Sequence, residues 1–310
     1  MNISWDHQTW LVHFAARSTG PNYYRDLRKE VFHNTVEIIR ERCYKSISGN
    51  EIILNNDKHQ NSVFYPDTRL ISFPTSSAAY DTKIYTLEAD CLETSRLLQL
   101  MGYNPAVLNM ANAYNPGGGV TKGSGAQEEN LFRRSTALLS LYQYMGYCQE
   151  YGIERNTEFS YPIPEEAGGI YSPDLLVFRS SERTGYYLLD SPYPMHMISV
   201  AAFSHPPLEV FGGKLRMVER MISPTQEKIR AILRIGKAHG HDAMILSAWG
   251  CGAFRNPPEH MAELFREVLS EENFCHAFRL IVFTIIDDHN AHKQHNPLGN
   301  VIPFQVVFNQ

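Results

Sequence analysis

Val107-Leu-Asn-Met-Ala-Asn-Ala-Tyr-Asn-Pro-Gly-Gly-Gly-Val-Thr-Lys-Gly-Ser-Gly-Ala-Gln-Glu-Glu-Asn-Leu-Phe-Arg-Arg134 opens on an apolar run, passes three consecutive glycines and ends in a Gln-Glu-Glu triplet. The run Ala106–Leu108 predicts a strand. Gly117, Gly118 and Gly119 carry no Cβ, so their backbone can turn sharply and bring N–H groups close to a ligand. After Glu129 the apolar residues Leu131, Phe132, Leu138, Leu139, Tyr142 and Met145 recur at spacings of three and four, which predicts a helix with one buried face running to about Tyr147. Glu128 and Glu129 therefore fall in the first turn of that helix, beside the glycine loop. The positive helix end favours their ionised forms, whereas a neighbouring carboxylate and an anionic ligand oppose ionisation. One of the pair is thus expected to hold a proton near neutral pH. Read alone, the triplet is an ordinary acidic helix start and the glycines a plain turn.

The longer string narrows the choice. Asn-x-Ala-Asn-Ala-x-x-Pro-Gly-Gly-Gly, seven residues and then Gln-Glu-Glu resembles the signature of microbial-type poly(ADP-ribose) glycohydrolases, which are built on a macrodomain. A weaker resemblance extends over roughly residues 80–290, with Ile170–Arg179 as another landmark. The resemblance implies an α/β macrodomain-like three-layer sandwich with a mixed sheet and an N-terminal helical extension. It implies hydrolysis of the glycosidic bond of poly- or mono-ADP-ribosylated protein, with ADP-ribose as product.

The remaining chain bounds that expectation. A length of 310 residues, 43% hydrophobic and 20% charged, suits a globular protein with a full core. Net charge of −5 and a pI near 6.2 argue against a nucleic-acid partner. They leave room for one diphosphate held by backbone N–H groups. Cys43, Cys91, Cys148, Cys251 and Cys275 are odd in number and widely spaced, which points to reduced thiols and a cytoplasmic location. Met1–Ala16 contains Asp6 and His7 where a signal peptide needs a basic end and a clean apolar run. No stretch approaches the apolar length of a membrane span, so no membrane partner is expected; delivery into another cell by a non-classical route stays open.

Composition divides the chain at about residue 78, with residues 1–78 as a helical and extended accessory region and 79–310 as the ADP-ribose-binding core. Residues 21–45 predict a helix, and the polar stretch 46–77 predicts loops and extended pieces. Lys83–Leu98 changes from alternation to helical spacing, placing Asp90 at a strand end. There it is either a ligand for the adenine amino group, as the resemblance implies, or a helix cap. Tyr186–Leu189 and Met197–Phe203 read as two strands, and the tyrosine-bearing segment Gly146–Gly169 as an irregular lid or loop. Phe203-Ser-His-Pro-Pro207 departs from the family pattern.

Ser223-Pro-Thr-Gln226 predicts a helix start capped by Ser223. Ala243–Ala248 predicts a buried strand leading into Trp249-Gly-Cys-Gly-Ala-Phe-Arg-Asn-Pro257 and a helix from Pro258 to Leu269. This second glycine loop is not the dinucleotide fingerprint, because Arg255 stands at the third glycine position. Alone it is a plain turn. The resemblance makes it a diphosphate loop in which N–H groups of Gly250, Cys251, Gly252, Ala253 and Phe254 wrap the ligand and the Phe254 ring packs on a ribose or base. Leu280–Ile286 predicts a strand buried on both faces and Val301–Phe308 a terminal strand. His289, His292 and His295 are expected in a solvated loop without a metal.

The resemblance assigns Glu129 as general acid and base and Glu128 as its partner on the ribose or leaving group. Asn112, Gly117, Gly118, Gly119, Gln127, Asp90 and the second loop are implied substrate contacts, with neither cofactor nor metal. Two alternatives remain: a mono-ADP-ribosyl hydrolase acting on a side chain such as arginine, and an ADP-ribose reader without turnover.

Overall fold

The computed structural model describes residues 3–16, 23–55, 61–73, 79–287 and 290–309. Residues 56–60 and 74–77 of the polar stretch, and His289, lie outside them. The chain packs as two compact units, one of residues 1–62, 114–162 and 172–195, the other of residues 63–113, 163–171 and 196–310. The composition boundary near residue 78 divides the chain by sequence; this division is by packing.

The first unit holds helices α1 (His7–Ala15) and α2 (Tyr23–Glu41) and the antiparallel pair β1 (Cys43–Lys45) and β2 (Glu51–Ile53). It also holds α4 (Gln127–Arg134) and α5 (Ala137–Leu141), whose numbers follow chain order. The helix expected over 21–45 is α2, which ends at Glu41; residues 43–45 form β1 instead, and 21–22 lie outside the described residues, while Leu27, Val31, Thr35 and Ile38 recur at helical spacing and are buried. Trp10, Leu27, Val31 and Tyr186 form a small apolar cluster with Trp5 and Phe14 against it. The single helix expected to Tyr147 is instead broken at Ser135. Its hydroxyl donates to the Leu131 carbonyl and accepts from the Ala137 N–H, ending the ladder in place of the backbone. The Thr136 N–H then donates to the Leu176 carbonyl. A helix is given up for a bridge to a strand.

The second unit contains β3 (Val63–Tyr65), β4 (Lys83–Leu87), α3 (Cys91–Leu100) and β5 (Pro105–Met110). Further along come β8 (Leu208–Phe211), β9 (Lys214–Met217), α6 (Ile222–Ala238), β10 (Ala243–Leu246), α7 (Pro258–Leu269), β11 (Leu280–Thr284) and α8 (Val301–Phe308). Strands β6 (Gly169–Arg179) and β7 (Leu188–Val200) enter this unit through residues 169–171 and 196–200. They complete a seven-stranded sheet ordered β3-β6-β7-β5-β10-β11-β4. Pairing is parallel from β7 through β5, β10 and β11 to β4, and antiparallel between β3 and β6, so the sheet is mixed as expected. Alternation sends Ala106, Leu108, Met244, Leu246, Ile281 and Phe283 to one face, against Ile229, Ile232, Met261, Phe265 and Phe304 of α6, α7 and α8. Helix α3 covers β5 and β10 from the other face. Three layers result.

Other local readings are corrected. Val301–Phe308 is a helix, α8, with Phe308 stacked on Phe283 at 4.6 Å between ring centres and Phe304 tilted against it at 5.1 Å. A short apolar run does not reveal its period. The exposed edge that a further strand would have paired is met by Asn309, whose side chain accepts from the Thr86 N–H at 2.8 Å and donates to the Thr86 carbonyl at 3.0 Å. The two strands expected at 186–189 and 197–203 are one 13-residue strand, β7, continuous through Pro192 and Pro194. Ser223 does not cap α6: that helix starts one residue earlier and has Met221 at its cap position without a side-chain bond. His295 is not solvated, for it is buried and lies 2.9 Å from the Cys251 carbonyl through Nε2. No helix among the described residues is long and apolar enough to cross a membrane.

Candidate active site

In the first unit, α4 starts at Gln127 with no side-chain cap, and its opening turn carries Glu128 and Glu129, both buried. Burying two carboxylates demands donors. The glycine loop supplies them: the Gly117 N–H donates to Glu128 Oε1 at 3.1 Å and the Gly119 N–H to Glu129 Oε1 at 2.8 Å. The Gly118 N–H donates to the Asn115 carbonyl at 2.9 Å. In this arrangement the three amides expected to face a diphosphate hold the acid pair and the loop itself. Gly118 has φ +54, and a methyl group there would lie 2.6 Å from Glu129 Oε1 and 3.1 Å from Glu128 Oε2. Only glycine lets the backbone pass this close to both carboxylates.

The two oxygens of Glu129 differ. Oε1 is fixed by the Gly119 N–H, whereas Oε2 is buried with no hydrogen-bond partner among the described residues. A buried, unpartnered carboxylate oxygen on a clamped side chain is disfavoured unless a ligand or proton meets it. Gln127 is half-buried at the head of the same turn. Sequence reading missed Tyr161 within the irregular segment. Its hydroxyl is buried without a partner among the described residues, and burial, followed by the charge of Glu128, holds its phenol well above the ordinary tyrosine range.

In the second unit, β7, β5 and β10 lie side by side and parallel, so their C-terminal ends share one edge. Asn112 is half-buried two residues beyond β5. Within β5, the buried Asn109 donates to Ser199 Oγ at 3.0 Å. Beyond β10 comes the second glycine loop. Among the described residues, the N–H groups of Gly250, Gly252, Ala253 and Phe254 donate to no protein acceptor, whereas the Cys251 N–H donates to the Ala248 carbonyl. Four uncommitted amides in one short loop can receive an anion. Cys251 itself is buried, and burial pushes its thiol up, which makes it inert packing.

Asn256, absent from the sequence-derived set, braces this loop. Its Nδ2 donates to the Phe203 carbonyl at 2.8 Å and to the Gly250 carbonyl at 2.9 Å. At Gly250, with φ +78, a methyl group would lie 2.6 Å from that Nδ2 and 2.8 Å from Ala202 Cβ. Lys228 holds the neighbouring rim, donating to the Ala201 carbonyl at 3.0 Å with its ammonium 4.7 Å from the centre of the Phe203 ring. Burial lowers its affinity for a proton to a pKa of about 8. The segment Phe203–Pro207, unassigned from sequence, thus begins on the anchored Phe203 carbonyl, just beyond that of Ala201. Asp90 caps α3, its Oδ1 accepting from the Leu92 and Glu93 N–H groups at 2.9 and 3.0 Å. The structural half of that open choice is accounted for.

Comparison with known proteins follows the same lines. The family model described as the catalytic domain of microbial-type PARG matches residues 33–180. No curated protein matches. Among solved structures, the poly(ADP-ribose) glycohydrolase of Thermomonospora curvata is 27% identical with a TM-score of 0.70, covering 91% of this chain and 99% of its own. The same enzyme bound to the inhibitor ADP-HPD is 26% identical with a TM-score of 0.69, over the same shares of both chains. The Deinococcus radiodurans poly(ADP-ribose) glycohydrolase in complex with ADP-ribose, at 23% identity and a TM-score of 0.60 over 81% of this chain and 96% of its own, shares the fold. The resemblance read from the glycine loop and the paired glutamates is therefore found by family model and by structure alike, and it is to the microbial-type poly(ADP-ribose) glycohydrolases.

Proposed function

We propose that this protein is an ADP-ribosyl glycohydrolase that releases ADP-ribose from ADP-ribosylated protein or poly(ADP-ribose), with Glu129 as general acid. The observation that carries the reading is the asymmetry of Glu129, one oxygen clamped by Gly119 and the other buried and, among the described residues, unpartnered. Oε2 is the atom placed to give a proton. The likeness to a poly(ADP-ribose) glycohydrolase that binds ADP-HPD supports the reaction class.

In this mechanism Glu129 protonates the departing oxygen while positive charge develops at the anomeric carbon of the ribose. The same carboxylate then takes a proton from the attacking water, as in glycoside hydrolysis generally. Glu128, held by Gly117, contacts the ribose or leaving group. Asn112 orients ribose hydroxyls, and the amides of Gly250, Gly252, Ala253 and Phe254 receive the diphosphate. Gln127, Gly118 and Asp90 keep the subsidiary substrate roles that the motif implies, Asp90 toward adenine. No step calls on a metal or redox cofactor. Cys43, Cys91, Cys148, Cys251 and Cys275 all remain thiols, which supports a reducing, cytoplasmic setting.

Incubation with poly(ADP-ribose), and separately with proteins mono-ADP-ribosylated on arginine and on serine, tests the proposal. Free ADP-ribose released from at least one substrate is expected. Release from only the arginine protein would make this a mono-ADP-ribosyl hydrolase. A melting-temperature rise with ADP-ribose and no release from any substrate would make it a reader.

A further inference from the structure

Arg133 is fully buried one turn beyond Glu129 on α4, an expensive place for a guanidinium unless it is doing something specific. Its Nη1 donates to the Ser124 carbonyl at 2.7 Å. The Ser124 N–H donates to the Gly119 carbonyl at 3.1 Å, and the Ser124 side chain fills the space beside Gly119, where a methyl group would lie 2.3 Å from Oγ. The Gly119 N–H closes the circuit on Glu129 Oε1 at 2.8 Å. A ring of contacts thus leaves the helix at Glu129 and returns to it at Arg133.

The other side of the guanidinium is anchored equally firmly. Arg133 Nε donates to the Tyr186 hydroxyl at 3.0 Å, and that hydroxyl donates to Glu182 Oε2 at 2.9 Å. Glu182 accepts from Arg28 Nε and Nη2 at 2.7 and 2.8 Å. Burial alone would push the Glu182 carboxyl up, but the bonds and charge of Arg28, with Arg133 behind, hold it below the usual carboxylate range. Glu182 is therefore a stable anion at neutral pH, and Tyr186 relays its hold to Arg133.

We infer that Arg133 is a positioning residue for hydrolysis: it fixes the turn at Ser124 and so keeps the Gly119 N–H aimed at Glu129, leaving Oε2 turned to the substrate. The inference rests on the hydrolase reading for its effect on turnover but not for its effect on the loop. A planar fork is required, since one group must reach a carbonyl on one side and a hydroxyl on the other; a lysine ammonium is a point donor.

The test uses Arg133→Lys and Tyr186→Phe in the full chain, each assayed well below its melting temperature. Expected are a fall in kcat of about tenfold or more from misplacement of the acid, with KM and the dissociation constant of ADP-ribose within twofold of wild type. A merely structural role lowers the melting temperature and leaves kcat per folded molecule unchanged. Amide hydrogen exchange over residues 115–125 is measured in parallel and is expected to quicken in both variants by about tenfold. If Arg133→Lys does not fold, Tyr186→Phe, which keeps the ring and removes one hydroxyl, decides alone. Unchanged exchange and unchanged kcat overturn the inference. A wild-type protein that releases no ADP-ribose strikes down the hydrolase reading, while exchange still decides whether Arg133 holds the loop.

Discussion

Replacing Gly118 by alanine adds one methyl group where the structure has no room for it. Two effects are separable. The left-handed backbone, at φ +54, costs about 1–2 kcal/mol for any L-residue with a side chain. The methyl group also arrives 2.6 Å from Glu129 Oε1, closer than carbon and oxygen approach, so the carboxylate must move. Movement breaks the 2.8 Å bond from the Gly119 N–H, a hydrogen bond worth roughly 0.5–1.5 kcal/mol. A displaced general acid forfeits its contribution, so kcat is expected to fall about 100-fold, at the lower end of that range. Gly152→Ala supplies the control, because Gly152 has φ +72 with nothing within 4 Å of the added methyl group. It bears the backbone cost without the collision. ADP-ribose release and melting temperature on both variants give the answer: Gly118→Ala is the more destabilised, by about the worth of the lost hydrogen bond, and only Gly118→Ala loses turnover. A Gly118→Ala enzyme within twofold of wild-type kcat, or a Gly152→Ala enzyme equally impaired, refutes the reasoning.

Three further outcomes are expected. Gly250→Ala drives a methyl group to 2.6 Å from Asn256 Nδ2 and 2.8 Å from Ala202 Cβ, so ADP-ribose should cease to raise the melting temperature; a normal rise removes the second loop from the diphosphate site. Asn256→Asp sets a carboxylate against the Phe203 and Gly250 carbonyls in place of an amide donor, and ADP-ribose affinity by calorimetry should fall at least about tenfold; unaltered affinity would show the brace to be dispensable. His239 and His241 are held to a pKa of about 4 by burial, with His196 adding to the effect. The unfolded chain takes up these protons near pH 6.5 and the folded protein only near pH 4, so their stabilisation is complete above about 6.5 and lost as pH falls from there to 4. Melting temperature should drop across that window, less steeply in His241→Gln; equal slopes would assign the acid sensitivity elsewhere.

What sequence revealed and what it concealed follow a physical line. The strand, the three glycines and the glutamate pair were legible because they are local: an apolar run, a turn and a helix start are written in consecutive residues. The direction of the loop's amides was not, since Gly117 and Gly119 donate to residues 11 and 10 positions onward and backbone donors have no letter in the sequence. Arg133 carried no reading of its own in the sequence, and it is buried because Tyr186, 53 positions away, meets it. Phe304 and Phe308 fit a strand or a helix until Phe283 decides between them. Asn256 offered only an asparagine before a proline, with no trace of the two carbonyls it ties together.

The central claim is that Glu129 delivers the proton through Oε2. Glu129→Gln keeps the shape and keeps an oxygen for the Gly119 N–H, removing only the titrating group. Turnover and ADP-ribose binding are to be measured on one preparation. The expected result is ADP-ribose release slowed by roughly 100-fold or more, with binding of ADP-ribose and melting temperature close to wild type. An unchanged rate with a lowered melting temperature would contradict the claim and return Glu129 to the part of a helix-start carboxylate.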